Sequence, residues 1–334
     1  MLRTPLLIGT LLFSALAAPA QTECSPPGHS INEAWFTGPM LANTAATPDR
    51  GHFLVEPYLT DMRTLGTYSP NGTRLPAPAA SSYDSETYLI YGLTNRLAAG
   101  ALPLFGYNTI PGQPTSAGPV LGDLTLIVQR RLTGLYPCHH IPTVALAVEQ
   151  TLPTGAFDNL GSRPANALGQ GVFTTTPAIF SQLYLWLPNG HILRSRLDIY
   201  DSISTTASVT GVSVYGTAAG FRGTAHPGNS LTLDAAFEYS VTRRIALATD
   251  AVWRSSANTR VSGIETSASN SAGMPIGPTP ITMNSGSSTA WAFAPAVEYS
   301  WRPWIGILIG VRLYPAGHNT PDTITPGIAL NIFR

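Results

Sequence analysis

The chain has 334 residues, 44% apolar and only 11% charged, with 31 Gly, 29 Pro and a formal net charge of zero. A soluble globular domain carries roughly a quarter charged residues, so this composition argues against an ordinary soluble enzyme. The balanced charge leaves no basic footprint for nucleic acid, which is not expected as a partner.

The first residues, MLRTPLLIGTLLFSALAAPA, combine one Arg, an apolar run from Leu6 to Ala17 and an Ala18-Pro19-Ala20 site. That is the pattern of a secretory signal peptide, expected over 1–20. The run is too short for a membrane helix, which needs about 20 apolar residues, and no second run of that length follows. A membrane protein with this sequence must therefore cross with strands.

Residues 21–50 show no clean period and are broken by Pro26, Pro27, Gly28, Gly38, Pro39 and Pro48, which predicts an irregular periplasmic segment near the barrel mouth. Alternation then begins. In 51–63, Phe53, Val55, Pro57 and Leu59 alternate with Leu54, Glu56, Tyr58 and Thr60. Paired strands follow at 85–96 and 97–107 around Thr94-Asn95-Arg96, and at 122–132 and 142–152. Further pairs are predicted at 172–187 and 191–202 around Pro188-Asn189-Gly190, and at 231–241 and 245–255 around Thr242-Arg243-Arg244. The last are 289–300 and 305–314 around Trp301-Arg302-Pro303-Trp304, with 323–333 closing the chain.

Longer links at 64–84, 108–121, 153–171, 203–228, 256–288 and 315–322 are rich in Gly, Pro, Ser, Thr and Asn. Short turns alternating with long loops are the mark of an outer-membrane barrel. The fold class expected is all-β, a transmembrane antiparallel β-barrel of about twelve strands over 51–334. The segment 207–221 also alternates, and an even strand count assigns it to an outer loop or to strand extensions above the membrane.

Charge placement agrees with lipid outside. Ile305, Ile307, Ile309, Val311 and Leu313 share one face, with Gly306, Gly310 and Arg312 on the other; Arg194, Arg196 and Asp198 lie opposite Leu193, Leu197 and Ile199. An Arg on the lipid face at mid-bilayer costs roughly 2–4 kcal/mol. The interior is therefore expected to take Glu56, Glu149, Arg194, Arg196, Asp198, Asp250, Arg254, Glu298 and Arg312 as pore-lining residues, together with Asp234 and Glu238. Trp186, Trp253, Trp291, Tyr299, Trp301 and Trp304 near strand ends fit interfacial girdles. Tyr58, Tyr88, Tyr314 and Phe333 are candidates for an apolar pocket inside.

Gly122-Asp123 opening an aliphatic strand, Pro153-Thr154-Gly155 closing the next, and the paired strands through Phe333 carry a resemblance. Over 51–334 the chain resembles the bacterial outer-membrane transporter family labelled "MetA-pathway of phenol degradation". The resemblance implies an outer-membrane channel for small hydrophobic or aromatic molecules, with membrane lipid, a solute and the outer-membrane assembly machinery as partners. Ending in Phe333-Arg334 departs from the usual terminal Phe, since Phe333 is out of register with Ile324, Ile328, Leu330 and Ile332.

The topology puts Cys24 and Cys138 in the same oxidising compartment, so a disulfide between them is expected to pin the leader across the barrel mouth. A zinc site using His29, His139 and His140 with these cysteines is the alternative, but the spacing matches no known finger. No GxSxG and no nucleotide fingerprint occurs. No cofactor and no enzymatic activity are expected; a structural or surface-binding barrel and an outer-membrane lipid hydrolase are the alternatives to a channel.

Overall fold

The computed structural model describes residues 30–134, 141–266 and 277–334. The signal peptide expected over 1–20 and both cysteines lie outside the described residues, so the expected disulfide does too.

Twelve strands form the barrel. They are β1 (Phe53–Tyr68), β2 (Ser81–Thr94), β3 (Leu97–Leu102 and Leu104–Thr109), β4 (Val120–Leu121 and Leu124–Arg131), β5 (Thr143–Leu152) and β6 (Thr174–Trp186). The second half comprises β7 (Ile192–Ser204), β8 (Ser230–Ser240), β9 (Ile245–Ser256), β10 (Ser288–Arg302), β11 (Ile305–His318) and β12 (Thr320–Phe333). Each pairs antiparallel with the next. β1 closes on β12 from Leu54 opposite Phe333 to Tyr68 opposite Thr320, so no edge is left unpaired in lipid.

The alternation becomes the two faces of the wall. On β4, Ile127 is 4% exposed and its neighbour Val128 is 51% exposed. Leu59, Leu197, Leu247 and Ile309 likewise project outward. Trp253 and Trp291 meet at 6.5 Å toward the long-loop end, and Tyr299 and Trp301 meet edge-on at 5.5 Å toward the short-turn end, one aromatic pair at each interface.

Several boundaries differ from expectation: β1 runs to Tyr68 and β2 starts at Ser81, both inside the link expected over 64–84. The link 315–322 is strand: β11 runs to His318 and β12 starts at Thr320, with Asn319 turning at φ 51°. A side chain that tolerates the left-handed region makes that one-residue turn possible without glycine. The strand expected over 97–107 is interrupted at Pro103, which has no N–H to give, yet the register against β2 is unchanged across it (Leu89 opposite Ala101, Glu86 opposite Leu104).

Segment 207–221 resolves into strand extensions. Ala207–Thr210, Phe221–His226, Arg260–Glu265 and Thr279–Asn284 continue β7 to β10 beyond the long-loop end as a separate four-stranded sheet. Val209, Phe221, Ala225 and Val261 form its core, and Phe157 of the 153–171 loop packs against it.

The residues of the resemblance fasten a loop. Asp123 accepts the N–H groups of Gly155 (2.9 Å) and Gln170 (2.8 Å). Thr154 Oγ1 accepts Leu124 N–H and donates to the Gly122 carbonyl, both at 2.9 Å. This clasp ties the 153–171 loop to the start of β4 and satisfies backbone groups where the ladder ends.

Candidate functional site: the lumen and its internal strap

Residues 34–49, part of the irregular segment expected over 21–50, enter at the short-turn rim and thread through the barrel interior. What holds them there is backbone satisfaction. An irregular segment has no ladder to supply hydrogen-bond partners, and a buried polar backbone must find them elsewhere. The inward carboxylates provide them. Glu298 of β10 accepts Thr37 N–H (2.6 Å) and Gly38 N–H (3.2 Å). Asp250 of β9 accepts Met40 (3.0 Å), Leu41 (3.3 Å) and Ala42 (2.9 Å). Asp198 of β7 accepts Asn43 N–H at 2.6 Å.

The strap continues around the inner wall. Thr44 donates to Gln182 of β6 (2.8 Å), Gln129 of β4 donates to the Thr44 carbonyl (2.8 Å), and Thr47 donates to the Asn95 carbonyl in the β2–β3 turn (3.3 Å). It thus passes β10, β9, β7, β6 and β4 in turn before entering β1. Its start is fixed at the short-turn rim, where Trp35 N–H donates to the Arg243 carbonyl (2.8 Å) and the Arg243 guanidinium lies 4.6 Å over the Trp35 ring.

Small residues on the wall leave room for it. Ala248, Ala294, Ala296 and Ala329 cluster around Met40. A Cβ on Gly306 would stand 2.3 Å from Thr37 Cγ2, and one on Gly92 would stand 2.1 Å from the Asp49 carbonyl oxygen. Gly92 is therefore the point where the strap's root crosses the wall.

The nine expected pore-lining residues separate into two groups. Asp198, Asp250 and Glu298 hold the strap. Arg196 donates to the Ala42 carbonyl (2.8 Å), and Arg194 lies 4.6 Å from the Phe36 ring centroid. Both arginines converge on buried Glu238, Arg194 as a two-pronged pair and Arg196 at 3.2 Å. The other four do not join this cluster. Glu56 accepts from Asn331 (3.2 Å), half-buried Glu149 lies on the inner face of β5, Arg254 is exposed beside Ser230 (3.3 Å), and Arg312 lies 5.7 Å from the Tyr314 ring. Sequence reasoning missed Gln129, Gln182 and Asn331, inward amides that bond the strap. Their place on the inner face of alternating strands was the available signal.

The strap divides the lumen. A cavity of about 310 Å³ lies between it and the wall, lined by Leu54, Tyr58, Tyr88, Ile90, Ile127 and Phe333. A second, of about 320 Å³, is lined by Leu104, Glu86, Asp84 and Arg312 together with Met40, Leu41, Tyr58 and Tyr88. These last four border both, so two strap side chains and two tyrosines, whose rings meet at 5.8 Å, make the partition. A third cavity of about 270 Å³ shares Arg312 with the second and continues past Tyr314 and Arg254 toward the long-loop end. Tyr58, Tyr88 and Phe333 thus line the first cavity as a group, and Tyr314 stands apart.

No family model and no curated protein matches this chain in sequence. Among solved structures, the COG4313 outer membrane channel from Pseudomonas putida F1 is similar with a TM-score of 0.64 and 15% identity, over 88% of this chain and 100% of that one. The NanC porin (TM-score 0.42, 12% identity, 83% of this chain and 98% of that one) and a deltaS2 mutant of the TodX monoaromatic hydrocarbon channel (0.39, 10%, 86% and 90%) are more distant. The first likeness establishes the fold as that of an outer-membrane β-barrel.

Proposed function

We propose that the protein is an outer-membrane channel that takes up small hydrophobic or aromatic molecules and is closed at rest by its own N-terminal strap. The observation that carries this reading is the file of three cavities, separated first by Met40, Leu41, Tyr58 and Tyr88 and then by Arg312. Moving a segment that has no ladder of its own joins the first two into one route. Its inner stretch has aromatic and aliphatic walls with a few polar groups, the composition of a small-molecule site.

In this reading the signal peptide over 1–20 is removed, the assembly machinery inserts the barrel, short turns face the periplasm and long loops face outward. The family of the resemblance fits the same role. The charged residues fall into two roles, with Arg194, Arg196, Asp198, Asp250 and Glu298 seating the strap while Glu56, Arg254 and Arg312 line the route and Glu149 faces the lumen from β5. No residue set for hydrolysis enters the proposal.

The test is solute flux into liposomes carrying the full-length protein, compared with a variant lacking residues 34–48. Entry of aromatic solutes in preference to sugars of similar size, raised by the deletion, supports the reading. Equal impermeability with and without the strap would favour a structural or surface-binding barrel.

A further inference from the structure

We propose that the short-turn rim binds the headgroup of an anionic phospholipid in the recess between Arg50 and the β2–β3 turn. The recess is lined by Arg50, Leu93, Thr94, Asn95 and Arg96. Its floor is rigid. Asn95 Oδ1 accepts Arg50 N–H (3.1 Å), its carbonyl accepts Arg131 Nη2 (2.6 Å), and Thr94 Oγ1 accepts Arg96 N–H (3.2 Å). The side chains of Arg50 and Arg96 are exposed, and among the described residues neither has a carboxylate within ion-pair distance. Exposed Arg130 is one strand away, since Leu97 pairs with it. Asp49 is the one carboxylate adjoining in sequence.

The apolar side of the recess distinguishes a lipid from a free anion. Leu89, Tyr91 and Leu93 share the outward face of β2 and are 42%, 49% and 46% exposed, so a lipid-facing file ends at the two guanidiniums. A guanidinium fork matches a phosphodiester's oxygens, and its aliphatic stem can lie along an acyl chain while the charge stays at headgroup level. Inorganic phosphate would use the two arginines and leave Leu93 idle. The site also sits at the root of the strap, because Asn95 is the residue that receives both Thr47 and Arg50. This inference rests on the membrane reading above and is indifferent to whether solute passes.

The experiment titrates the folded, detergent-solubilised full-length protein with phosphatidylglycerol, phosphatidylcholine or inorganic phosphate and reads bound adducts by native mass spectrometry. Phosphatidylglycerol is expected to bind in preference to phosphatidylcholine. Arg50→Gln and Arg96→Gln should each weaken it about fivefold, the usual share of one basic group at an anionic surface. The control Arg222→Gln/Arg260→Gln, in the outer sheet, should leave it unchanged. Leu93→Asn should weaken the lipid alone. Wild-type lipid binding by Arg50→Gln/Arg96→Gln overturns the proposal, as does phosphate displacing the lipid at equal concentration with Leu93→Asn silent. If the Gln variants do not fold, Arg50→Lys/Arg96→Lys replaces them, with weaker binding expected and wild-type binding overturning the site. Lipid binding without flux would sink the channel reading alone; flux without lipid binding would sink this one alone.

Discussion

Replacing Asp250 with Ala tests whether carboxylates hold the strap. Both Asp250 oxygens bond it, accepting Met40, Leu41 and Ala42 N–H at 3.0, 3.3 and 2.9 Å. Leaving a buried N–H without a partner costs about 1–3 kcal/mol. Three such groups set an additive range of about 3–9 kcal/mol, and water entering the adjoining cavities brings the effect toward the low end. A loss of about 3 kcal/mol raises the detached population about 100-fold or more. The wall should be unharmed, because the ladders of β9 with β8 and β10 are backbone pairings that do not use this side chain. Hydrogen exchange followed by mass spectrometry is the assay. Amides of residues 37–43 should exchange about 100-fold faster with barrel amides unchanged, and bilayer conductance should rise. Wild-type exchange rates over 37–43 would refute the reasoning outright.

Three further outcomes follow. Gly92→Ala places a Cβ 2.1 Å from the Asp49 carbonyl and 2.5 Å from that of Pro48, so exchange over 47–50 should accelerate while the amides of the barrel ladders keep their wild-type rates; an unchanged rate would show that the root does not depend on this close approach. Glu238→Gln leaves two buried guanidiniums without their shared carboxylate, a loss of about 3–5 kcal/mol, and the temperature at which the folded gel form disappears should fall. A Cys24–Cys138 disulfide, expected from the sequence alone, predicts a linked peptide in non-reducing mass mapping, and two free thiols would remove it.

The barrel was legible because lipid enforces a simple code. Outward positions on β4, β7 and β11 must be apolar, closed pairing leaves no other solution for strands in a bilayer, and long and short connections sort by side. The errors fell where this code is silent. Beyond the bilayer a strand can continue with either pattern, so 315–322 read as a link although it extends β11 and β12. The second sheet beyond the long-loop end, by contrast, announced itself in the alternation of 207–221, which belongs to strand extensions as expected, while its partners at 260–265 and 279–284 lay within the expected link 256–288.

The interior was half legible, and the reason is instructive about charged lumens. Periodicity says which carboxylates point inward but not what they bond, and Asp198, Asp250 and Glu298 look alike whether they face water or a chain. The strap itself is largely Gly, Pro and small residues over Thr37-Gly38-Pro39-Met40-Leu41-Ala42-Asn43 and has no period to find. The clue lay on the opposite surface. An inner wall that puts Ala246, Ala248, Ala294 and Ala296, with Gly306 and Gly310, on consecutive strands is too small-featured to fill its own barrel, and narrow barrels otherwise pack their interiors with side chains. Such a wall, set with inward acids, calls for a guest with free N–H groups, and an irregular leader of the right length precedes the first strand. The same logic makes the strap separable: its hold rests on three carboxylates that take its inward backbone N–H groups and on a few further bonds from Gln129, Gln182, Arg196 and Asn331, whereas the barrel's is distributed over twelve ladders. Loss of the first need not disturb the second, which is the physical requirement for a closure that opens without unfolding its channel.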